Sequence, residues 1–207
     1  MRLKFHPRAK SLFLVLLTSI TCLFITNASA KKHFVTGGCE GFTTYTQGGW
    51  GAVPHGGNPG VYLHANFAAA FPSGITLGCG SGYTLKLTSA QAVTDFIPSG
   101  TTPAALTQNL VDPGGSYQNV LAGQLLAATL SVGFDYYDAN FGSNSIHLGD
   151  LVIASGPFAG STVNQMLALA NDALGGCNTS VNLSDVNEAL DDINNNYDNG
   201  TSNNGYL

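Results

Sequence analysis

The chain has 207 residues, of which 44% are hydrophobic and only 9% charged, and its formal net charge is −5. Seven basic residues stand against twelve acids, and no arginine follows Arg8. That balance excludes nucleic-acid binding, which needs a basic footprint to displace counterions from phosphate, and docking on anionic lipid headgroups, which needs the same ingredient.

The first thirty residues read as an address for export. Arg2, Lys4, Arg8 and Lys10 precede the apolar run 11–25, and Ala28-Ser29-Ala30 gives the small-x-small pattern of a cleavage site after Ala30. The run is about fifteen residues long, short of the roughly 20 that span a bilayer. The mature chain 31–207 is therefore expected to be secreted or held at the cell surface, with no membrane span. It keeps Lys31, Lys32 and Lys86 against all twelve acids, a net charge of −9. Its length suits a single domain with its own core. Cys39, Cys79 and Cys177 remain after processing. In an oxidising compartment one disulfide is expected, with one thiol over. All three pairings stay open, with a slight preference for Cys39–Cys79 because it closes the shortest loop.

Residues 34–87 form a glycine-rich, irregular section without helical period. Short strands are expected at Gly60–Leu63, Gly74–Leu77 and 82–87, where Thr84-Leu85-Lys86-Leu87 alternates polar with apolar. Ala65–Phe71 permits a short helix stopped by Pro72 and Gly74. The stretch TYTQGGWGAVPHGGNPG (44–60) holds the only tryptophan of the chain. Two roles fit Trp50. With Tyr45, Gln47 and Tyr62 it would make an aromatic platform for sugar rings, the amide reading hydroxyls. Alternatively it plugs the core while the glycines supply the tight backbone path. The second role is preferred, because the helices that follow need a lid and this segment is the obvious one.

Residues 88–197 turn helical. Thr88 with Gln91 forms a capping-box pattern before Val93, Phe96 and Ile97, and Pro98 stops the helix. A second short helix is expected from Thr102-Pro103, carrying Leu106 and Leu110. The third, from Asn119 to about Phe134, is apolar nearly all round and so belongs in the middle of the domain. The fourth begins at Ser161 or Thr162 and presents Val163, Met166, Leu167, Ala170 and Leu174 on one face, with Gly175 at its C′ position. The fifth is expected to be capped by Ser184 and to carry Val186, Ala189, Leu190, Ile193 and Tyr197. The polar tail 198–207 is expected to be flexible. The fold class is thus mainly α, a single globular domain of about five helices over a partly β N-terminal section.

Several segments taken in order have a familiar look: YTQGGWG (45–51), NPG (58–60), LTSAQAVTDFIPSG (87–100), NVLAGQLLAATLSVGFD (119–135), SGPFAGSTVNQMLALANDALGGC (155–177) and DINNNYDNGT (192–201). Nearly the whole mature chain resembles an N-terminal module of long exported or surface proteins of bacteria, which often continue into β-sandwich repeats and a C-terminal sorting signal. The resemblance implies a bacterial surface setting. It brings no catalytic residue with it.

Catalytic patterns are weak. His33, His55, His64 and His147 show neither HxxxH nor HExxH spacing. Gly80-Ser81-Gly82 has the wrong spacing for a nucleophile elbow. Asp192-x-Asn194-x-Asn196 opens like a calcium loop, but Tyr197 stands where glycine is required. No metal or cofactor is expected. The leading expectation is a non-enzymatic binding or assembly protein whose partner is an extracellular glycan or a surface protein. The alternative is a secreted hydrolase in which two of Asp135, Asp138, His147 and Asp150 converge.

Overall fold

The computed structural model describes residues 41–207; the export segment, His33 and Cys39 lie outside the described residues. At the centre runs α4 (Val120–Tyr137), started by Asn119, whose side chain accepts hydrogen bonds from the amides of Leu121 and Ala122. Leu121, Leu125, Leu126, Leu130 and Phe134 have no exposed surface. A helix with apolar residues on every side must be covered on every side. The cover comes from α1 (Gln47–Trp50), α2 (Pro59–Ala70), α5 (Val163–Gly175) and α6 (Leu183–Asn196), each of which contacts α4. One continuous apolar cluster joins them. The chain is mainly α with a small three-stranded sheet, as the periodicities require.

The sheet has the order β1-β2-β3, with β1 at Ile75–Gly78, β2 at Thr84–Leu87 and β3 at Leu110–Val111. β1 and β2 are antiparallel, pairing Ile75 with Leu87 and Leu77 with Leu85. All four of these side chains are buried, so one sheet face closes the core, and α5 packs against β1. β3 adds in parallel, Leu85 opposite Leu110.

Four local expectations are corrected. Gly60–Leu63 is not a strand but the first turns of α2. Asn58 caps it by accepting from the Val61 amide at 3.1 Å, and Pro59 occupies the first helical position. The segment from Thr102 to Asn109 is not helical. Leu106 enters the core and its amide donates to the Leu174 carbonyl at 2.7 Å, so tertiary pairing overrides a weak local preference. Thr88 does not cap α3 (Ala90–Phe96): Ser89 does, accepting from the Ala92 amide, while the Thr88 amide donates to Asp112 Oδ1 at 2.8 Å. Ser184 does not cap α6; Asn182 does, accepting from the Ser184 amide.

α5 behaves nearly as its pattern requires, with a complete Thr162/Gln165 capping box. Its left-handed terminal residue is Gly176 (φ 82°), one position beyond the glycine assigned to that role. The polar tail is tied back. The amides of Tyr206 and Leu207 donate to Asn196 Oδ1, and the Tyr206 carbonyl accepts from the Ala154 amide at 2.8 Å. Asn194 and Asn196 are fully buried and hold α6 to α4 and to the tail, Asn194 through Gln124. The calcium-loop resemblance thus falls on two interior asparagines of a helix.

The disulfide joins Cys79, beyond β1, to Cys177, beyond α5. This corrects the preference for Cys39–Cys79. Loop length favours a pairing only in the absence of a fold, and here β1 packing on α5 brings distant cysteines together. Among the described residues no helix is long and apolar enough to cross a membrane.

Candidate functional site

The four aromatic and amide candidates of the glycine-rich stretch are mostly turned inward. Trp50 is fully buried, its ring 4.9 Å from Tyr45, 5.2 Å from Phe134 and stacked at 5.9 Å on Phe141. Its indole N–H donates to Ser131 Oγ at 3.2 Å. Gln47 is buried too; its Oε1 accepts from the Ser99 amide at 2.9 Å, lying where a Cβ on Gly123 would sit. Trp50 and Gln47 therefore offer no face to a ligand, and no sugar platform can form on them. Tyr45 and Tyr62 are half-buried, and both pack against Phe141.

Tyr62 is held by its hydroxyl, which donates to Asp138 Oδ2 at 2.8 Å. Burial, with this hydrogen bond second, raises the phenol pKa. Asp138 is shifted down: the Asn140 amide, then the Tyr62 hydroxyl, stabilise its carboxylate more than burial opposes it. A carboxylate depressed in the folded state stabilises the fold above its unfolded pKa and loses that contribution as pH falls through the folded value. Tyr62→Phe removes one donor. The Asp138 pKa is then expected to rise toward the ordinary aspartate value in a carboxyl NMR titration. The stability gap between wild type and variant narrows below about pH 4.

A different surface gathers the chemistry. It is built from the C-terminal end of α4, a 3-10 turn at Leu148–Asp150 and the first turn of α5. Asp135, on α4, has a side chain only 8% exposed, and its Oδ2 lies 3.0 Å from His147 Nδ1. The same oxygen accepts from the Leu148 amide at 2.9 Å. An ionised carboxylate can only accept, so Nδ1 carries the hydrogen, and in the neutral form of the ring the lone pair is the one at Nε2. Nε2 has no hydrogen-bond partner among the described residues, and the His147 side chain is 46% exposed.

The Tyr136 ring lies 4.1 Å from the His147 ring and is itself 48% exposed. Asn164 links the two sides of the surface. Its amide donates to the Tyr136 hydroxyl at 3.2 Å and lies 3.4 Å from Asp150 Oδ1. Gly149 makes this possible, since a Cβ there would come within 2.5 Å of Asn164 Oδ1. Tyr137 and Ile146, next in sequence to Tyr136 and His147, are exposed as well. The result is an aromatic face, an oriented imidazole, a primary amide and a carboxylate, all solvent-accessible and set on or beside three regular elements.

Of the four groups weighed for a hydrolytic site, the structure thus brings Asp135 and His147 together, sets Asp150 beside Asn164, and diverts Asp138 to Tyr62. Tyr136 and Asn164 were not anticipated. The signal available for Tyr136 was its place in Tyr136-Tyr137, where the apolar run of α4 gives way to polar residues. Asn164 carried none, because its role depends on a turn distant in sequence. In class this is a helical domain with a small sheet and an aromatic–imidazole–carboxylate surface. No protein-family model, curated protein or solved structure matches the chain.

Proposed function

We propose that this is an exported, non-enzymatic binding protein of the cell surface that recognises a carbohydrate through Tyr136, His147, Asn164 and Asp150. The half-exposed Tyr136 ring, hydrogen-bonded through its hydroxyl to Asn164 and packed at a tilt against His147, carries the proposal. Aromatic faces bind the C–H faces of pyranose rings, and fixed amide, imidazole and carboxylate groups around them read hydroxyls. The export signal read in the sequence places such a protein where extracellular glycans are found.

The test is glycan-array binding by the mature chain and by Tyr136→Ala. Loss of the ring is expected to weaken binding about tenfold, near the upper end of what an aromatic contact contributes beyond its area. Equal binding by the variant removes this surface from the account.

A second reading rests on the Asp135–His147 hydrogen bond. A carboxylate that fixes the tautomer leaves Nε2 able to take a proton from water, so hydrolysis of a bound ester or glycoside is the competing function. It requires turnover that disappears in His147→Ala, whereas simple binding requires none.

A further inference from the structure

The same surface points to the kind of sugar it takes. Asp135 and Asp138 are both engaged: the first accepts from His147 and Leu148, the second from Tyr62 and Asn140. Asp150 differs. It is exposed, and among the described residues its only side-chain hydrogen bond is the long 3.4 Å contact of one oxygen with Asn164. Among the described residues no lysine or arginine forms an ion pair with it. The only such residue after Lys32 is Lys86, on the sheet, paired in register with Thr76 and Val111. His147 brings no spare positive charge either, because Asp135 already faces its Nδ1.

From this we infer, resting on the binding function proposed above, that Asp150 selects glycans bearing a free amine, hexosamine units whose ammonium lies against its carboxylate while the ring sits on Tyr136. A charge-assisted hydrogen bond between ammonium and carboxylate is stronger than one between neutral groups. A uronic acid at the same place would meet Asp150 with like charge in a chain already strongly acidic.

Binding is measured by calorimetry with three probes: a glucosamine tetrasaccharide, its fully N-acetylated counterpart and a tetragalacturonate. Each is run against wild type, Asp150→Asn and Tyr136→Ala, with circular dichroism to check folding. Wild type is expected to prefer the amine form over the acetylated form by roughly fivefold, the upper end for an exposed ion pair. The uronate binds weakest, and the amine preference shrinks as salt rises from about 20 to 300 mM. Asp150→Asn, which keeps an oxygen for Asn164, binds both glucosamine forms equally. The inference is overturned if the acetylated probe binds as well as the amine, if Asp150→Asn keeps the preference, or if Tyr136→Ala leaves amine binding intact, the last meaning diffuse attraction of a polycation to an acidic protein. Binding of the acetylated probe that needs Tyr136 but shows no amine preference sinks only the choice of sugar. No binding by any probe sinks the carbohydrate reading with it.

Discussion

Removing the Cys79–Cys177 bridge is expected to cost about 2–5 kcal/mol, the largest effect of any change outside the core. The two cysteines are 98 residues apart in sequence. In the chain-entropy account, closing a loop of that length restricts the unfolded ensemble by about 4–5 kcal/mol. The bridge also fixes a specific junction. It ties the turn between β1 and β2 to the end of α5, where the Tyr83 amide donates to the Gly175 carbonyl at 2.9 Å. Gly175 and Gly82 both lie against the Cys79 sulfur, where a Cβ would intrude within 2.3 and 3.0 Å. The measurement compares urea unfolding of the oxidised protein with that of the Cys79→Ser, Cys177→Ser double variant. The variant should unfold at a clearly lower midpoint with native-like helical signal beforehand. Coincident curves would show that the bridge adds nothing, its restriction of the unfolded chain being offset in the native one.

That disulfide marks the boundary of what the sequence makes legible. α4, α5 and α6 are readable because a helix that buries one face must repeat its apolar residues at 3.6 positions, and Val163, Met166, Leu167, Ala170 and Leu174 do so whatever surrounds them. The alternation at 84–87 marks β2 for the same reason. α2 carries a start signal too, Asn58 followed by Pro59 being a cap with a first-turn proline, but the surrounding glycines equally fit loop and strand. Contingent pairings are a different matter. Whether Leu106 is helical depends on the Leu174 carbonyl being nearby, and whether Cys79 meets Cys177 depends on β1 lying on α5. The candidate site divides in the same way. Asp135, His147 and Asp150 were singled out by residue type, while the Tyr136–Asn164 link arises only when the end of α4 and the start of α5 are folded side by side.

Trp50→Ala is expected to destabilise the protein by about 3–5 kcal/mol, the range for removing a large buried aromatic. The ring fills the space between α1 and α4, where Tyr45, Phe134 and Phe141 contact it, and Phe134 in turn meets Tyr62 and Phe71 edge-on. Truncation therefore opens a cavity inside an aromatic cluster that spans α1, α2 and α4, and the neighbours cannot all collapse into it. Ser131 loses the indole donor but still donates to the Ala127 carbonyl at 3.1 Å, so the lost hydrogen bond is the smaller part of the cost. Trp50→Phe keeps most of the volume and is expected to cost less than half as much. Since Trp50 is the only tryptophan, its fluorescence gives an independent readout: blue-shifted emission and poor quenching by acrylamide in the native protein, both lost on unfolding. Strong quenching of the native protein, or a Trp50→Ala variant as stable as wild type, would mean that the indole faces solvent. The glycine-rich stretch would then be free to grip a ligand, and the tyrosine surface at the C-terminal end of α4 would have a rival.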